Sequence, residues 1–474
     1  MTELTVLPGT LYGLGLAALV LLSTAAQAEP RLYDASRADQ FLEPLAEDIV
    51  PEDDEMRQVW AENAAFNAGV FGRSAVSTYS QMHAQAIDTA SPLYVGFNRF
   101  SHGRDLAGPG YEPFKTPNAD TLYSNAYLDL SDGPVLITVP PTNGRYYTVN
   151  FLDLFGNATN ISARTRGTSG GTYLIATTNW GGEVPEGAEL FRVTQAYMWI
   201  LMRIEVESAA ELPEVRALQD GITITSTVEP TSKRAFPEPA DLQNAGQYLT
   251  VLDWIVEEAG VRETEAALVH GFRGLGVGGP LSVAQAMADD MTLNGAREGI
   301  VKADRYAETI KFQNGTAVNS WREPLDIGRY GYNYSYRAGV HSLGLGANVR
   351  LENYAYTTFL DANGNPLDGS RGTYVLELDS APPSDFFWSV TVYDQATQEL
   401  FPNPAGKYLV SSNTQGLQVA DDGSISITLA TDASGPNAIP VPEGPFYLAL
   451  RAQGPRREMR EGIWQPNPVR LIEE

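Results

Sequence analysis

Cysteine is absent from the 474 residues, which removes disulfide staples, thiol nucleophiles and thiolate metal sites. Histidine is nearly absent: His83, His102, His270 and His341 are the four. No two stand at a metal-pair spacing and no HExxH run occurs, so no metal centre is expected from them. Basic residues are scarce beside acidic ones, 32 against 58, giving a formal net charge of -26. Such a surface repels phosphate backbones and argues against a nucleic-acid partner. A solvated acidic exterior accounts for the charge without any partner.

Long apolar runs are confined to the N-terminus, where Leu11–Ala25 is followed by Ala26-Gln27-Ala28, a small-residue cleavage pattern. Cleavage after Ala28 and export across a bacterial inner membrane, to the periplasm or the medium, are expected. The first residues carry Glu3 and neither Lys nor Arg, a departure from the usual basic start. No later stretch is apolar enough to span a bilayer, so no integral span is expected after cleavage.

What the chain does contain is a change of periodicity along its length. Hydrophobic residues make up 43% of it, enough for a substantial core and more than one domain. After a Pro- and Asp-punctuated lead-in to Val50, Pro51–Ile87 reads as a helix. Its acidic start is PEDDE, and Met56, Val59, Phe66 and Val70 fall on one face. From Tyr94 to Val206, aromatic and β-branched runs alternate with Asp132-Gly133, Pro-Pro and Asn143-Gly144, which are hairpin signals. Asp241–Phe312 turns helical again, with Leu249, Leu252, Ile255 and Val256 in one amphipathic run and Ser282–Phe312 in another. From Tyr354 to Val469 the β pattern returns, with Asn363-Gly364, Asp368-Gly369 and Asp422-Gly423. The organisation expected is a signal peptide (1–28), lead-in and helix (29–90), β unit (91–235), helical segment (236–330) and second β unit (331–474). The fold class expected is α+β, with two jelly-roll-like antiparallel β-sandwich units.

The two β units share a passage. Residues 135–153 read VLITVPPTNGRYYTVNFLD and residues 375–394 read VLELDSAPPSDFFWSVTVYD. RYYTVNFLD sets against FFWSVTVYD without a gap, and each copy closes on an aspartate, Asp153 or Asp394. KTPNADTLYSNAYLDL (115–130) followed by GRYYTVNFLDLFGN (144–157) resembles the domain of unknown function 1254. LGANVRLENYAYTTFLDANGNPLDG, APPSDFFWSVTVYD and GPFYLALR (444–451) resemble the domain of unknown function 1214. The resemblance covers most of the mature chain and implies jelly-roll-like sandwiches with a helical portion, usually behind an export signal. It implies no settled reaction.

Strand alternation puts Arg145, Tyr147, Val149, Phe151 and Asp153 in one phase, and Phe386, Trp388, Val390, Val392 and Asp394 in the other copy's matching phase. That phase is expected to face the core, so each aspartate ends its strand as a turn cap or at a sandwich mouth. The polar run Asn118, Asp120, Thr121, Tyr123 and Asn125 precedes a strand. With Arg145 and Tyr147 it offers acceptor, donor and cation in a short span. Gly274, Gly276 and Gly279 match GxGxxG, and Gly167, Ser169 and Gly171 match GxSxG. Neither has the strand-to-helix context the motif requires, so both read as turns.

Two function classes stand on these residues. One is an exported binding protein for a polar small molecule or an envelope partner, with Tyr123, Arg145, Tyr147 and Asp394 as ligand contacts. The other is a cofactor-independent hydrolase with Asp120 and Asp153 as acid and base. A divalent ion held by Asp oxygens is a variant of the second. Whether the chain is an enzyme, and its oligomeric state, are open at this point. Arg145, standing where the second copy has Phe386, favours the N-terminal unit as the site.

Overall fold

The computed structural model describes residues 49–111, 115–228, 234–313, 315–344 and 346–472. The expected signal peptide and residues 29–48 of the lead-in lie outside them. Helix α1 (Asp54–Met82) is capped by Asp53, whose carboxylate accepts from Met56 N, and Asp54 and Glu55 complement the dipole in its first turn. Two helices of the following helical segment, α2 (Ala245–Trp254) and α3 (Asp290–Ile310), pack on α1, as does α4 (Tyr334–Leu343).

The face α1 buries matches the expected one only in part. Val70 is buried and Phe66 packs against the core, but Met56 and Val59 are 48% and 45% exposed, and the buried residues combine Ala61, Ala65, Ala68, Gly69, Gly72 and Ala75 with Phe71, Val76, Tyr79 and Met82. The cause lies in α3, whose Gly295, Ala296, Gly299 and Ala303 let the two backbones nearly touch. A Cβ on Gly295 would stand 2.2 Å from the Gln58 carbonyl oxygen, and one on Gly299 2.4 Å from that of Glu62. Small side chains are therefore the packing signal toward α3, while larger ones such as Phe71 and Tyr79 fill the core elsewhere along α1. The single run expected over Ser282–Phe312 is broken: a short helix spans Val283–Ala286, and Asp289 then caps α3 by accepting from Thr292 N. In α2 the expected Leu249 and Leu252 are fully buried, as is Ile255 just after it.

Each β unit is a two-sheet sandwich. The first has a five-stranded antiparallel sheet in the order β1-β2-β8-β4-β5 and a four-stranded one, β7-β6-β3-β9. The strands are β1 (Ser101–His102), β2 (Thr121–Asp129), β3 (Val135–Val139), β4 (Tyr147–Asp153), β5 (Ala158–Ser162), β6 (Gly171–Thr177), β7 (Ala188–Val193), β8 (Tyr197–Glu205) and β9 (Thr223–Ser226). The second unit repeats the plan: β11-β12-β18-β14-β15, extended by β10, against β17-β16-β13-β19. These are β10 (Gly315–Val318), β11 (Trp321–Pro324), β12 (Asn353–Thr358), β13 (Thr373–Leu378), β14 (Trp388–Asp394), β15 (Leu409–Ser411), β16 (Ile425–Ala430), β17 (Ala438–Pro440), β18 (Phe446–Gln453) and β19 (Arg470–Ile472). Each smaller sheet carries one parallel pair, β6 with β7 and β16 with β17, where an all-antiparallel unit was expected. The α+β class holds, with a helix first and a helical segment between the units. Asp132-Gly133 and Asn143-Gly144 do form turns, but they carry the chain from one sheet of the sandwich to the other, not between paired strands.

The larger sheets are buried on both faces. Leu122, Ala126, Val149, Phe151, Ile200 and Met202 meet the smaller sheet, while Tyr127, Leu152, Tyr197, Trp199 and Leu201 meet the helices. All seven residues of β4 are buried, so both phases of that strand are interior and not only the one expected. Such two-faced burial is what gives β8 its near-continuous apolar run, YMWILMRIE.

Close helix packing yields a test of sign. Gly295→Ala improves helix propensity by up to about 1 kcal/mol. The clash with α1 backbone outweighs that gain, and net destabilisation of about 1–3 kcal/mol is expected. Gly246→Ala in α2, whose Cβ would have only Asn244 Oδ1 at 3.7 Å, is expected to be neutral or stabilising. Thermal unfolding of the two variants checks the contrast, and equal melting temperatures would contradict it.

Candidate functional site

Strand register extends the duplication beyond the repeated letters. In the first unit Thr148 of β4 pairs with Arg203 of β8; in the second, Ser389 of β14 pairs with Arg451 of β18. Thr148 and Ser389 occupy the same place in RYYTVNFLD and FFWSVTVYD, so Arg203 and Arg451 are equivalent residues. Both project from the face turned away from the smaller sheet, and both are 7% exposed. Arg203 Nη2 donates to the carbonyl of Gly346 at 2.9 Å, in the segment leading into β12. Arg451 Nη2 donates to the carbonyl of Thr116 at 3.0 Å, in the segment leading into β2. Each arginine thus holds the approach to the other unit's first long strand. Tyr393 Oη, donating to the Pro117 carbonyl at 2.6 Å, and Asn413 Nδ2, donating to Glu205 at 2.8 Å, add to the exchange.

Between these faces lies a cavity of about 170 Å³. Tyr123 and Arg203 line it from the first unit, and Asn353, Ala355, Ala449 and Arg451 from the second. The lead-ins supply Asn118 and Asn348, and α4 supplies Val340 and Leu343. Its basic lining residues are Lys115, Arg203, Arg322 and Arg451, and among the described residues no Asp or Glu lines it, in a chain of net charge -26. Several lining polar atoms are buried with no hydrogen-bond partner: Arg203 Nη1, Asn118 Nδ2, both amide atoms of Asn348, and Asn353 Oδ1. Buried polar groups are ordinarily satisfied by protein, water or ligand. The Arg203 guanidinium lies 5.3 Å from the centre of the Tyr123 ring, and Tyr123 Oη accepts from Asn118 N at 2.7 Å.

The two arginines differ in how their charge is answered. Arg451 Nη1 donates to Tyr393 Oη at 2.8 Å, and the guanidinium feels the buried carboxyl of Asp120. Burial pushes the Asp120 carboxyl up, more than the nearby Ser389 hydroxyl and Arg451 hold it down, and neither of its oxygens has a partner of good hydrogen-bond geometry. For Arg203, no carboxylate of the described residues forms an ion pair. Lys115 pairs with Glu399 at the edge.

The residues singled out from sequence scatter. Tyr123 lines the cavity, and Asp120 sits behind it beside Arg451. Arg145 is turned elsewhere, paired with Glu211 at 2.9 Å and Glu214 at 3.7 Å and donating to the Glu205 carbonyl. Its contrast with Phe386, which packs on Tyr146, is therefore structural and does not mark the first unit as the site. Tyr147 belongs to the core between the two sheets of the first unit. Asp394 caps a turn by accepting from Ala396 N and Thr397 N. Asp153 caps the turn to Asn157, accepting from its backbone and side chain at 2.8 and 2.9 Å. Asp153 pairs with Met198, which pairs with Leu128, eight residues along from Asp120. That is roughly 26 Å of strand, so Asp120 and Asp153 cannot serve one bond as acid and base. Among the described residues no group of three or more His, Asp or Glu is placed to hold a metal ion. Arg203, Arg451, Asn348 and Asn353 had escaped notice. Their signal was a lone arginine inside each apolar strand, YMWILMRIE and FYLALRAQ.

With this geometry in view, residues 97–226 match the family described as protein of unknown function DUF1254, and residues 352–457 match protein of unknown function DUF1214. The chain pairs the two, DUF1254 first and DUF1214 second. The fold is that of the VPA0106 protein from Vibrio parahaemolyticus, whose crystal structure aligns with a TM-score of 0.67 at 23% identity over 87% of this chain and 100% of that one. A crystal structure of an uncharacterized protein from Burkholderia cenocepacia aligns over 89% of this chain and 91% of that one, at 12% identity and a TM-score of 0.45. That score is too low to carry an argument. No curated protein matches the chain.

Asp153 borders a second buried ionic group, and this one is structural. Arg337 of α4 lies 4.9–5.1 Å from the ring centres of Phe71, Phe155 and Tyr334, donates to the Phe71 carbonyl at 2.6 Å, and has Glu265 at 3.9 Å. His341 Nδ1 donates to the Arg337 carbonyl at 2.8 Å. Burial, aided by Arg337, lowers the imidazole to about 4. A folded-state value below the unfolded value of about 6.5 means stability present above pH 6.5 and lost as the pH falls toward 4, on the order of 3 kcal/mol in full. The carboxyls of Asp120, Asp153 and Glu205 shift upward and oppose this loss. Melting temperature should therefore fall more between pH 6.5 and 4.5 for the wild type than for His341→Asn. Parallel profiles would contradict the assignment.

Proposed function

We propose that the chain binds a small organic anion in the cavity between its two sandwich units, with Arg203 as the anchor. One observation carries this reading: a guanidinium 7% exposed, on a residue that lines the cavity, without a carboxylate partner among the described residues and with Nη1 buried and unpaired. An unanswered buried charge is strongly unfavourable, and a bound carboxylate would answer it with a charge-assisted hydrogen bond. Of the neighbouring cations, Lys115 is paired with Glu399 and Arg451 faces Asp120, while Arg322 favours the same sign of ligand. Against an acidic exterior, this basic recess would also concentrate anions locally. A binding role is supported better than Asp120–Asp153 hydrolysis, which lacks a common reaction centre.

The protein acts outside the cytoplasm on this reading, supported by the Leu11–Ala25 run and Ala26-Gln27-Ala28. Among the described residues no helix is long and apolar enough to cross a membrane. N-terminal sequencing of protein recovered from a bacterial periplasm is expected to begin at Glu29; protein found only in the cytoplasm with Met1 intact would contradict export.

Thermal unfolding in the presence of small carboxylates, sulfate and phosphate tests the binding role. At a hundred times its Kd a ligand adds about 2.7 kcal/mol, so at least one anion should raise the melting temperature by a measurable margin. Arg203→Gln, which keeps a donor toward Gly346, should abolish the shift. The proposal fails if no anion stabilises the wild type, or if the variant responds equally.

A further inference from the structure

We infer that the ligand is a short hydroxylated monocarboxylic acid, an inference that rests on the anion-binding reading above. The unpaired polar atoms around the cavity are of two kinds. Arg203 Nη1 and Asn118 Nδ2 are donors, the kind of group from which the oxygens of a carboxylate accept. Asn353 Oδ1 is an acceptor, and Asn348 offers one donor and one acceptor whichever way its amide is turned, both buried and both unpaired. A carboxylate answers only the donors. Something on the ligand must also donate to Asn348 or Asn353, because leaving a buried acceptor unmet costs about 1–3 kcal/mol.

A hydroxyl fits that role better than an ammonium, since the described lining residues include four basic ones and no carboxylate to receive a cation. The charge of the ligand follows from the asymmetry of the equivalent arginines. Arg451 already faces Asp120, and Arg322 is only part-buried, so Arg203 is the one buried cation that calls for a counter-charge. The size follows from the volume. A cavity of about 170 Å³ slightly exceeds the roughly 150 Å³ that admits benzene, room for about six to eight non-hydrogen atoms. Ile327, Val340, Leu343 and Ala355 provide an apolar wall for a short carbon chain.

Calorimetric titration of the purified full chain with butanoate, 2-hydroxybutanoate, 3-hydroxybutanoate, 2-aminobutanoate, sulfate and phosphate tests the class. One hydroxybutanoate should bind at least about tenfold more tightly than butanoate, the ratio that one unmet buried acceptor implies. Asn348→Leu should remove that advantage while leaving butanoate affinity within roughly threefold. Should that variant not fold, Asn353→Leu serves the same comparison. Butanoate binding as tightly as both hydroxy acids, the amino acid binding tighter than either, or sulfate or phosphate binding in place of the carboxylates would overturn the hydroxy-acid class and leave the anion site standing. Absence of binding by every anion would remove both.

Discussion

Arg203 and Arg451 each donate to the backbone of the segment that leads into the opposite unit, and the placement of both sandwiches depends on that exchange. A sheet buried on both faces cannot carry charged residues without partners close by. Here the partners are carbonyls of Gly346 and Thr116, groups that any sequence supplies, held in position by the other unit. The lead-ins are thereby fixed against the sheets, and the space they do not fill becomes the cavity. Gly346 shows how tight the fit is: its φ is +81°, and a Cβ there would stand 2.4 Å from Leu201 Cδ2. A residue with a side chain would lift the lead-in off the sheet and with it the carbonyl that Arg203 holds.

Duplication explains why the site lies between the units and not at the mouth of either. Two copies of one sheet, each with a polar patch at the same register, meet with those patches opposed. Divergence then did different things to the two arginines. Arg451 acquired the neighbourhood of Asp120, Ser389 and Tyr393, which makes it part of the framework. Arg203 lies 5.3 Å from the Tyr123 ring centre and has no carboxylate partner among the described residues. One copy is answered within the protein, and the other is the anchor of the proposed ligand site.

Much of the fold was legible because it rests on local periodicity: the helical lead, the two β units and the duplicated passage follow from alternation and turn residues. Asp153 and Asp394 could be read as turn caps for the same reason, since an aspartate cap contacts only the next few residues. The face of α1 was legible only in part, at Phe66 and Val70, because Ala and Gly weigh little in an apolar stripe and acquire meaning only beside the glycines of α3. The site was legible only at Tyr123 and Asp120. Arg203 meets Gly346, 143 residues away, and no local pattern announces such a contact. An arginine interrupting an otherwise apolar strand is the trace it leaves, and finding that trace in both copies at equivalent register is what turns it into a signal.

A crystal structure of the full chain, grown with a short hydroxy acid, examines the central claim most directly. The account predicts electron density for a carboxylate within hydrogen-bond distance of Arg203 Nη1, with its hydroxyl directed at Asn348 or Asn353. A protein carboxylate found paired with Arg203, or a cavity holding water alone at saturating acid, would contradict it.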